Sequence, residues 1–247
     1  MSNFIDFHIH IDYYKDYYKI YEWLDSKKIY TLFVTNFPEI YEKCLKNFKT
    51  SKYIKIALGY NPQIIEQQKF NKKIFDKYLF STKYVGEVGL DFSRKYITYK
   101  KYQMEVFEYI CKKAAKTNKI LSVHSRNAEK EILDILKKNK VKFVVFHWYT
   151  GEIDFVDEII NEGYYFSINP SMLKSKKGRD IINKIPKNKI LVESDGPFGK
   201  INNKTVNPQD IIKVYDLLSL SIGIDSKKFQ SLVYNNLKTL LIENLKQ

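Results

Sequence analysis

Eight short apolar runs, rich in β-branched and aromatic residues, alternate along this chain with longer charged segments. Continuous apolar runs of this length are typical of parallel strands buried on both faces. The segments between them, such as 102–116 and 127–139, place apolar residues at helical spacing. This alternation predicts an α/β fold of the (β/α)8 TIM-barrel type, with one domain over residues 1–247. The eight runs cover 4–10, 29–36, 54–61, 84–91, 120–125, 143–149, 164–170 and 190–197.

Two helical segments, 207–221 and 226–246, follow the eighth run. A barrel of eight strand–helix units has one helix after its eighth strand, so we expect the second segment to form an extra C-terminal helix. A doubly wound open sheet is the alternative architecture. Such sheets usually have fewer strands and often a glycine-rich first loop, whereas the first run here ends in histidines.

The chain is basic, with 42 Lys plus Arg against 28 Asp plus Glu and a formal net charge of +14. A basic surface favours anionic partners, nucleic acid above all. The joint richness in Lys, Ile, Asn and Tyr is also what an A+T-biased genome would produce, so charge alone decides little.

Features of the chain that bear on its location point to the cytoplasm. Cys44 and Cys111 lack metal or redox spacing and are expected to be reduced thiols in a cytoplasmic protein. No apolar run reaches the roughly 18 residues of a membrane span. The first residues also lack the pattern of a secretory leader.

All four histidines of the chain fall at or towards the ends of apolar runs, Glu87 lies within the fourth run, and Asp195 lies near the end of the eighth. In a barrel these positions converge at the carboxyl ends of the strands, where barrel enzymes place their chemistry. His8 and His10 are two apart, so both face one side of a strand. The four histidines are His8, His10, His124 and His147.

Four imidazoles and two carboxylates suit a borderline divalent metal such as zinc or manganese. Taken singly, His124 or His147 could be a structural histidine, and Asp195 could serve the turn at 194–197. Taken jointly, unpaired buried carboxylates would cost several kcal/mol, and metal binding removes that cost. The pattern therefore predicts a metal site.

Five blocks give this chain a family resemblance: FIDFHIHID, VGEVGLDF, VHSRNA, FHWYTG and LVESDGP. In this order and approximate spacing they resemble the TatD-like metal-dependent deoxyribonucleases of the amidohydrolase-like barrel superfamily. The resemblance spans nearly the whole chain. It implies two divalent metal ions, whether Zn, Mg or Mn, and DNA as substrate, with single-stranded 3′ ends as the usual point of attack.

The resemblance also implies roles for single residues. His8, His10 and Asp195 would bind a first metal, Glu87 would bridge both metals, and His124 and His147 would complete the second. Asp195 would accept a proton from a bridging water activated by the two metals, and Arg126 would offset charge on the phosphate. Arg94 matches a position that is often basic and near the substrate.

Polar residues beside these positions carry further expectations. Asp6 and Asp12 flank the histidine pair and could orient its rings, although Asp6 could equally serve barrel packing. Asn61 stands where the family commonly has histidine; its amide can hydrogen-bond a phosphate but cannot carry a proton. Trp148 and Tyr149 follow the sixth run and would either stack on bases or pack.

Three functions are compatible with these residues. The first is a metal-dependent deoxyribonuclease, expected to act as a 3′–5′ exonuclease on single-stranded DNA. The second is a hydrolase of small esters or amides on the same barrel; many such relatives use a carboxylated lysine, and the fourth run offers Glu87 instead. The third is a non-catalytic DNA-binding or scaffold subunit of an operon-encoded assembly, such as an anti-phage defence system.

Overall fold

The computed structural model describes residues 4–246, and it places a strand in each of the eight apolar runs. The strands follow one another around the molecule with helices between them. Their bounds are β1 Ile5–Ile9, β2 Tyr30–Phe33, β3 Ile54–Ile56, β4 Tyr84–Asp91, β5 Ile120–Arg126, β6 Phe143–His147, β7 Tyr165–Ile168 and β8 Ile190–Val192.

The strands pair in parallel in the order β1-β2-β3 and β4-β5-β6-β7-β8. Backbone hydrogen bonds join these two sheets at both edges. Just past β3, Leu58 N donates to Tyr84 O of β4 at 3.0 Å, and Asp195 N donates to His8 O of β1 at 3.0 Å. The eight strands therefore close into a ring, which confirms the (β/α)8 prediction and rules out the open sheet.

Nine helices surround the strands within residues 4–246. They are α1 Tyr17–Ser26, α2 Pro38–Asn47, α3 Lys72–Tyr78, α4 Lys100–Lys116, α5 Glu129–Lys138, α6 Asp154–Asn161, α7 Lys176–Lys184, α8 Ile211–Ile222 and α9 Ser226–Leu245. The extra C-terminal helix is thus present as α9. Asn236 of α9 donates to the carbonyl oxygens of Lys187 and Ile190, both at 2.8 Å, which fixes the helix against the start of β8.

One continuous core of buried apolar side chains fills the barrel and the layer between strands and helices. Cys44 and Cys111 are both buried and free. Among the described residues, no helix is both long enough and apolar enough to cross a bilayer. That residues 1–247 form one domain stays a prediction, and positions 1–3 and 247 of that range lie outside the described residues.

Candidate metal centre

The barrel brings all six predicted metal ligands together at the carboxyl ends of its strands. His8 lies in β1 and His10 follows it directly, while Glu87 lies within β4. His124 and His147 belong to β5 and β6, and Asp195 lies just beyond β8. All are buried except His124, which is partly exposed.

Glu87 lies between two groups of histidines, and its two carboxylate oxygens face different groups. Oε1 is 2.9 Å from His124 Nδ1 and 2.9 Å from His147 Nε2. Oε2 is 3.3 Å from His10 Nε2 and 4.0 Å from His8 Nε2. A carboxylate in this position can serve two ions at once.

The side of Glu87 that faces β1 carries a compact group of donors formed by His8, His10 and Asp195. Asp195 Oδ1 is 3.7 Å from Nε2 of each histidine, and the two Nε2 atoms are 3.3 Å apart. Ligands about 2.1 Å from a tetrahedral metal lie roughly 3.4 Å from one another, so this spacing suits one ion. His8, Glu87 and His147 form a second group of the same kind.

Unsatisfied buried atoms support this assignment. Asp195 Oδ1 and His10 Nδ1 are buried and have no hydrogen-bond partner. Buried polar atoms without a partner are rare in folded proteins and call for an explanation. For Asp195 Oδ1, which points at two imidazoles, a bound cation supplies one. The donor set of nitrogen and carboxylate oxygen is also what zinc or manganese prefers.

The electrostatics of the cluster follow from burial and from the mutual contact of these groups. Burial raises the pKa of Asp195 to about 8. Burial and the neighbouring His147 hold the pKa of His8 well below its usual range. Burial alone would raise the pKa of Glu87, but the surrounding imidazoles hold it far below its ordinary value. Glu87 is therefore an ionised carboxylate surrounded by imidazoles.

Two of the histidines are oriented by a hydrogen bond at the ring nitrogen that faces away from the cluster. His124 Nε2 is 3.2 Å from Asp91 Oδ2, and His8 Nδ1 is 2.8 Å from Ser122 Oγ. Such outer partners fix the tautomer and the ring orientation of a ligand. Sequence reasoning missed Asp91. The available signal was an acidic residue at the end of the apolar run 84–91, where the structure shows Asp91 to be buried.

Glu193 is a second buried acid that sequence reasoning missed. Its Oε1 accepts hydrogen bonds from Trp148 N and Asn169 Nδ2, both at 3.0 Å, and its Oε2 accepts one from Ser167 Oγ. The same carboxylate lies 3.8 Å from His147 Nδ1. Glu193 thus ties the ends of β6 and β7 to β8 beside a candidate ligand.

The backbone is strained at two positions of the site. Trp148 has φ of +37° and Asp195 has φ of +45°, a region that residues other than glycine seldom adopt. Hydrogen bonds hold both, from Trp148 N to Glu193 and from Asp195 N to His8 O. The strained turns place each side chain at the mouth of the barrel.

Asp6 and Asp12 do not orient the histidine rings. Asp6 accepts hydrogen bonds from Ser194 N at 2.9 Å and from Ser194 Oγ at 2.5 Å, so it joins β1 to the turn that carries Asp195. This is the packing role that the sequence left open. Burial raises the pKa of Asp6 to about 7. Asp12 accepts from Asn36 Nδ2 at 3.0 Å.

A cavity of about 420 Å³ opens above the six candidate ligands. Arg126, Asn61 and Trp148 line it. Arg94 is exposed in the loop after β4 and does not line it, and Tyr149 is fully buried in the core, so its role is packing.

Asn61 lines this cavity, but its polar atoms are engaged within the protein. Its Nδ2 donates to Glu87 Oε2 at 2.6 Å and to Asn36 Oδ1 at 3.1 Å, and its Oδ1 accepts from Gln63 N at 2.8 Å. In this conformation the side chain of Asn61 positions Glu87. That it binds substrate stays a prediction.

A (β/α)8 barrel with four histidines and two carboxylates at the carboxyl ends of its strands is the arrangement of the metal-dependent hydrolases. The family model described as TatD related DNase matches residues 5–242. The chain belongs to this family, as the resemblance predicted.

Known relatives agree with that membership. The chain is 34% identical over 119 residues to the deoxyribonuclease Tat-D of Schizosaccharomyces pombe, an alignment covering 47% of this chain and 38% of the relative. It is 26% identical over 201 residues to the uncharacterized metal-dependent hydrolase MJ1582 of Methanocaldococcus jannaschii, covering 78% of each chain.

Among solved structures, the TatD homologue YJJV of Escherichia coli matches with a TM-score of 0.85 at 21% identity, covering 97% of this chain and 98% of that one. This likeness shows the fold. The alignments to relatives named as deoxyribonucleases, in S. pombe and Homo sapiens, span 38% and 42% of their lengths, less than half.

Proposed function

We propose that this protein is a metal-dependent deoxyribonuclease that removes nucleotides from the 3′ ends of single-stranded DNA. The observation that carries the proposal is the position of Glu87, whose two oxygens face separate groups of histidines. Family membership favours a phosphodiester of DNA as the bond that is cleaved. Among the described residues that line the cavity there is no lysine, so a carboxylated-lysine bridge has no candidate.

In this proposal His8, His10 and Asp195 would hold one divalent ion, His124 and His147 would hold a second, and Glu87 would offer one carboxylate oxygen to each. Zn, Mg or Mn ions held there would supply Lewis-acid chemistry, polarising phosphate oxygens and lowering the pKa of water. Asp195 accepts at its carboxylate the proton that the attacking water loses.

Arg126 is the residue best placed to bind the phosphate. Its side chain is exposed at the end of β5 and lines the cavity, and no carboxylate of residues 4–246 forms an ion pair with it. Its guanidinium can therefore donate two hydrogen bonds to phosphate oxygens and offset the charge that develops there. Trp148 at the rim offers a face for a base.

A cytoplasmic location is consistent with the two free cysteines and stays a prediction, as do partner proteins from a shared operon. The scaffold function is disfavoured because all six candidate ligands are present and converge, which a DNA-binding subunit without catalysis does not need.

The direct test compares single-stranded oligonucleotides labelled at the 3′ end with the same strands labelled at the 5′ end, with added Mg, Mn or Zn. A 3′–5′ exonuclease releases labelled mononucleotide at once from the first and gives a descending ladder from the second. Internal fragments at early times would indicate an endonuclease. Bound metal without cleavage of any DNA would redirect the search to small esters and amides, or to a missing partner.

A further inference from the structure

A second cavity lies at the opposite end of the barrel from the metal centre. Its volume is about 570 Å³, within the range of small-molecule sites. It opens between the amino ends of β2, β3 and β4, and the last turn of α9 lines it. None of the candidate metal ligands lines it, so it is a separate feature of the fold.

Lysines gather at this end of three neighbouring strands. Lys55 lies in β3, and Lys83 and Lys119 directly precede β4 and β5, where Tyr84 pairs with Ile120. Lys55 and Lys83 line the cavity. Lys83 also lines an adjoining cavity of about 410 Å³ with Lys119, whose residue exposure is only 8%. Their ammonium groups therefore converge on one region.

Among residues 4–246 these positive charges have no acidic partner. Nζ of Lys55 donates to Ser51 O at 2.9 Å, and Nζ of Lys119 donates to Thr82 O at 2.7 Å, so both contacts are to neutral carbonyls. No carboxylate of residues 4–246 forms an ion pair with Lys55, Lys83 or Lys119. Asp25 of α1 accepts a hydrogen bond from the Ser51 hydroxyl.

The unfavourable electrostatics of this cluster are seen in the lowered pKa of two of its lysines. Burial and the nearby charge of Lys83 lower the pKa of both Lys55 and Lys119. Like charges held together in a partly buried position destabilise a fold unless a ligand compensates them. A bound anion would supply that compensation.

The cavity also offers a phenolic hydrogen that has no acceptor among the described residues. Tyr30 and Tyr84 line it, and their hydroxyls hydrogen-bond each other. One hydrogen lies between the two oxygens, and the other has no acceptor among the contacts of the described residues. Burial raises the pKa of Tyr30 to about 12, so the phenol stays protonated and can donate a hydrogen bond to an anion.

The remaining wall is apolar and aromatic. Phe48, Tyr41 and Ile56 line one part, and Leu241 and Leu245 of α9 line another. A free inorganic anion would use the ammonium groups and the phenol but none of this surface. The wall therefore favours an anion attached to an aromatic or apolar body.

We propose that the cavity between β2, β3, β4 and α9 binds a nucleoside monophosphate, with its phosphate on Lys55, Lys83 and the Tyr30–Tyr84 hydroxyl pair and its base against the apolar wall. This site is independent of the proposed nuclease activity. Occupancy neutralises the lysine cluster and fixes α9 against the barrel.

The test is calorimetric titration of the full metal-loaded chain with deoxyadenosine monophosphate, inorganic phosphate and deoxyadenosine. The variants are Lys55→Gln and Lys83→Gln. The matched control is Lys101→Gln, which removes one charge from the exposed face of α4 and lines neither cavity at this end. The variant Glu87→Ala, which alters the metal centre, distinguishes nucleotide binding in this cavity from nucleotide binding at the metal centre.

We expect the monophosphate to bind more tightly than phosphate or the nucleoside. Lys83→Gln and Lys55→Gln should each weaken binding about tenfold or more, because each removes a charge-assisted hydrogen bond. Lys101→Gln and Glu87→Ala should leave it unchanged. Lys83→Gln relieves repulsion, so its thermal midpoint without ligand should not fall, and its DNA cleavage should persist.

Four results would overturn the proposal. The first is no heat of binding with the monophosphate. The second is equal affinity in the native chain and in Lys83→Gln. The third is loss of binding in Glu87→Ala alone, which would place the nucleotide at the metal centre. Equal affinity for phosphate and monophosphate would reject the nucleotide as the ligand class.

Discussion

His124 and Asp91 form a pair in which the carboxylate lies on the far side of the imidazole from the metal centre. Asp91 Oδ2 is 3.2 Å from His124 Nε2, and His124 Nδ1 is 2.9 Å from Glu87 Oε1. Gln63 Nε2 in turn donates to Asp91 Oδ2 at 2.7 Å. This chain of contacts fixes which ring nitrogen faces the centre.

Replacing Asp91 should weaken metal binding, although Asp91 is not itself a proposed ligand. In Asp91→Asn the charged carboxylate beside His124 Nε2 becomes a neutral amide, whose oxygen is a weaker acceptor for the ring proton. We expect the affinity for one of two metal ions to fall about 10-fold to 100-fold, the range for outer partners of ligating histidines. Competitive titration with a metal indicator measures this. Asp16→Asn, on an exposed acid, is the control, and equal losses in both variants would reject the role of Asp91.

Removing the carboxylate of Glu193 should cost stability. Glu193→Ala leaves Asn169 Nδ2 and the Ser167 hydroxyl without their acceptor, and Trp148 N keeps only its contact to Ser167 O at 3.2 Å. We expect the free energy of unfolding to fall by about 3 kcal/mol or more. Urea denaturation in the presence of a chelator measures this without a contribution from bound metal.

Glu193→Gln is the matched variant for that experiment. Its amide oxygen can still accept from Trp148 N and Asn169 Nδ2, and the Ser167 hydroxyl can turn to accept from the amide nitrogen. It should therefore lose much less stability than Glu193→Ala. Similar losses of stability in both variants would show that Glu193 does not stabilise the fold by accepting these hydrogen bonds.

Arg126→Ala should raise KM for DNA and make cleavage less sensitive to salt, because the side chain lines the cavity and can bind a phosphate there. Losing one phosphate contact reduces the slope of log affinity against log salt by about 1. Arg94→Ala is the control, because Arg94 is exposed but lies outside the cavity lining. That Arg94 contacts substrate stays a prediction, and an Arg94→Ala effect as large as that of Arg126→Ala would support it.

Removal of metal should lower the thermal midpoint of the protein. Without a cation, Asp195 Oδ1 is buried and unpaired, and four imidazoles lie against two carboxylates. Ligands that bind only the native state stabilise it in proportion to the logarithm of their concentration. Differential scanning fluorimetry before and after dialysis against a chelator should show a fall that added manganese or zinc reverses. An unchanged midpoint would argue against resident metal.

The sequence predicted the barrel because the pattern of buried parallel strands is local. Each apolar run became a strand, and the run 84–91 matches β4 residue for residue. The convergence of His8, Glu87 and Asp195 followed from barrel geometry alone, since the carboxyl ends of all strands meet. These features depend on periodicity, which a sequence displays directly.

The outer partners were not predicted, because they depend on which strands become neighbours in register. Asp91 meets His124 because β4 pairs with β5, and Glu193 meets Ser167 because β7 pairs with β8. Asp6 was ambiguous for the same reason, since Ser194 is 188 positions away in the chain. No spacing rule reveals a contact of that range.

The most direct test of the central claim is the metal content of the purified protein, measured by mass spectrometry for the native chain and for Glu87→Ala. The cleavage of 3′-labelled single-stranded DNA is followed in the same preparations. The bridging role of Glu87 predicts about two divalent ions per native chain, fewer in Glu87→Ala, and metal-dependent trimming that this variant lacks. A native chain without bound metal, or one whose cleavage survives both chelation and Glu87→Ala, would contradict it.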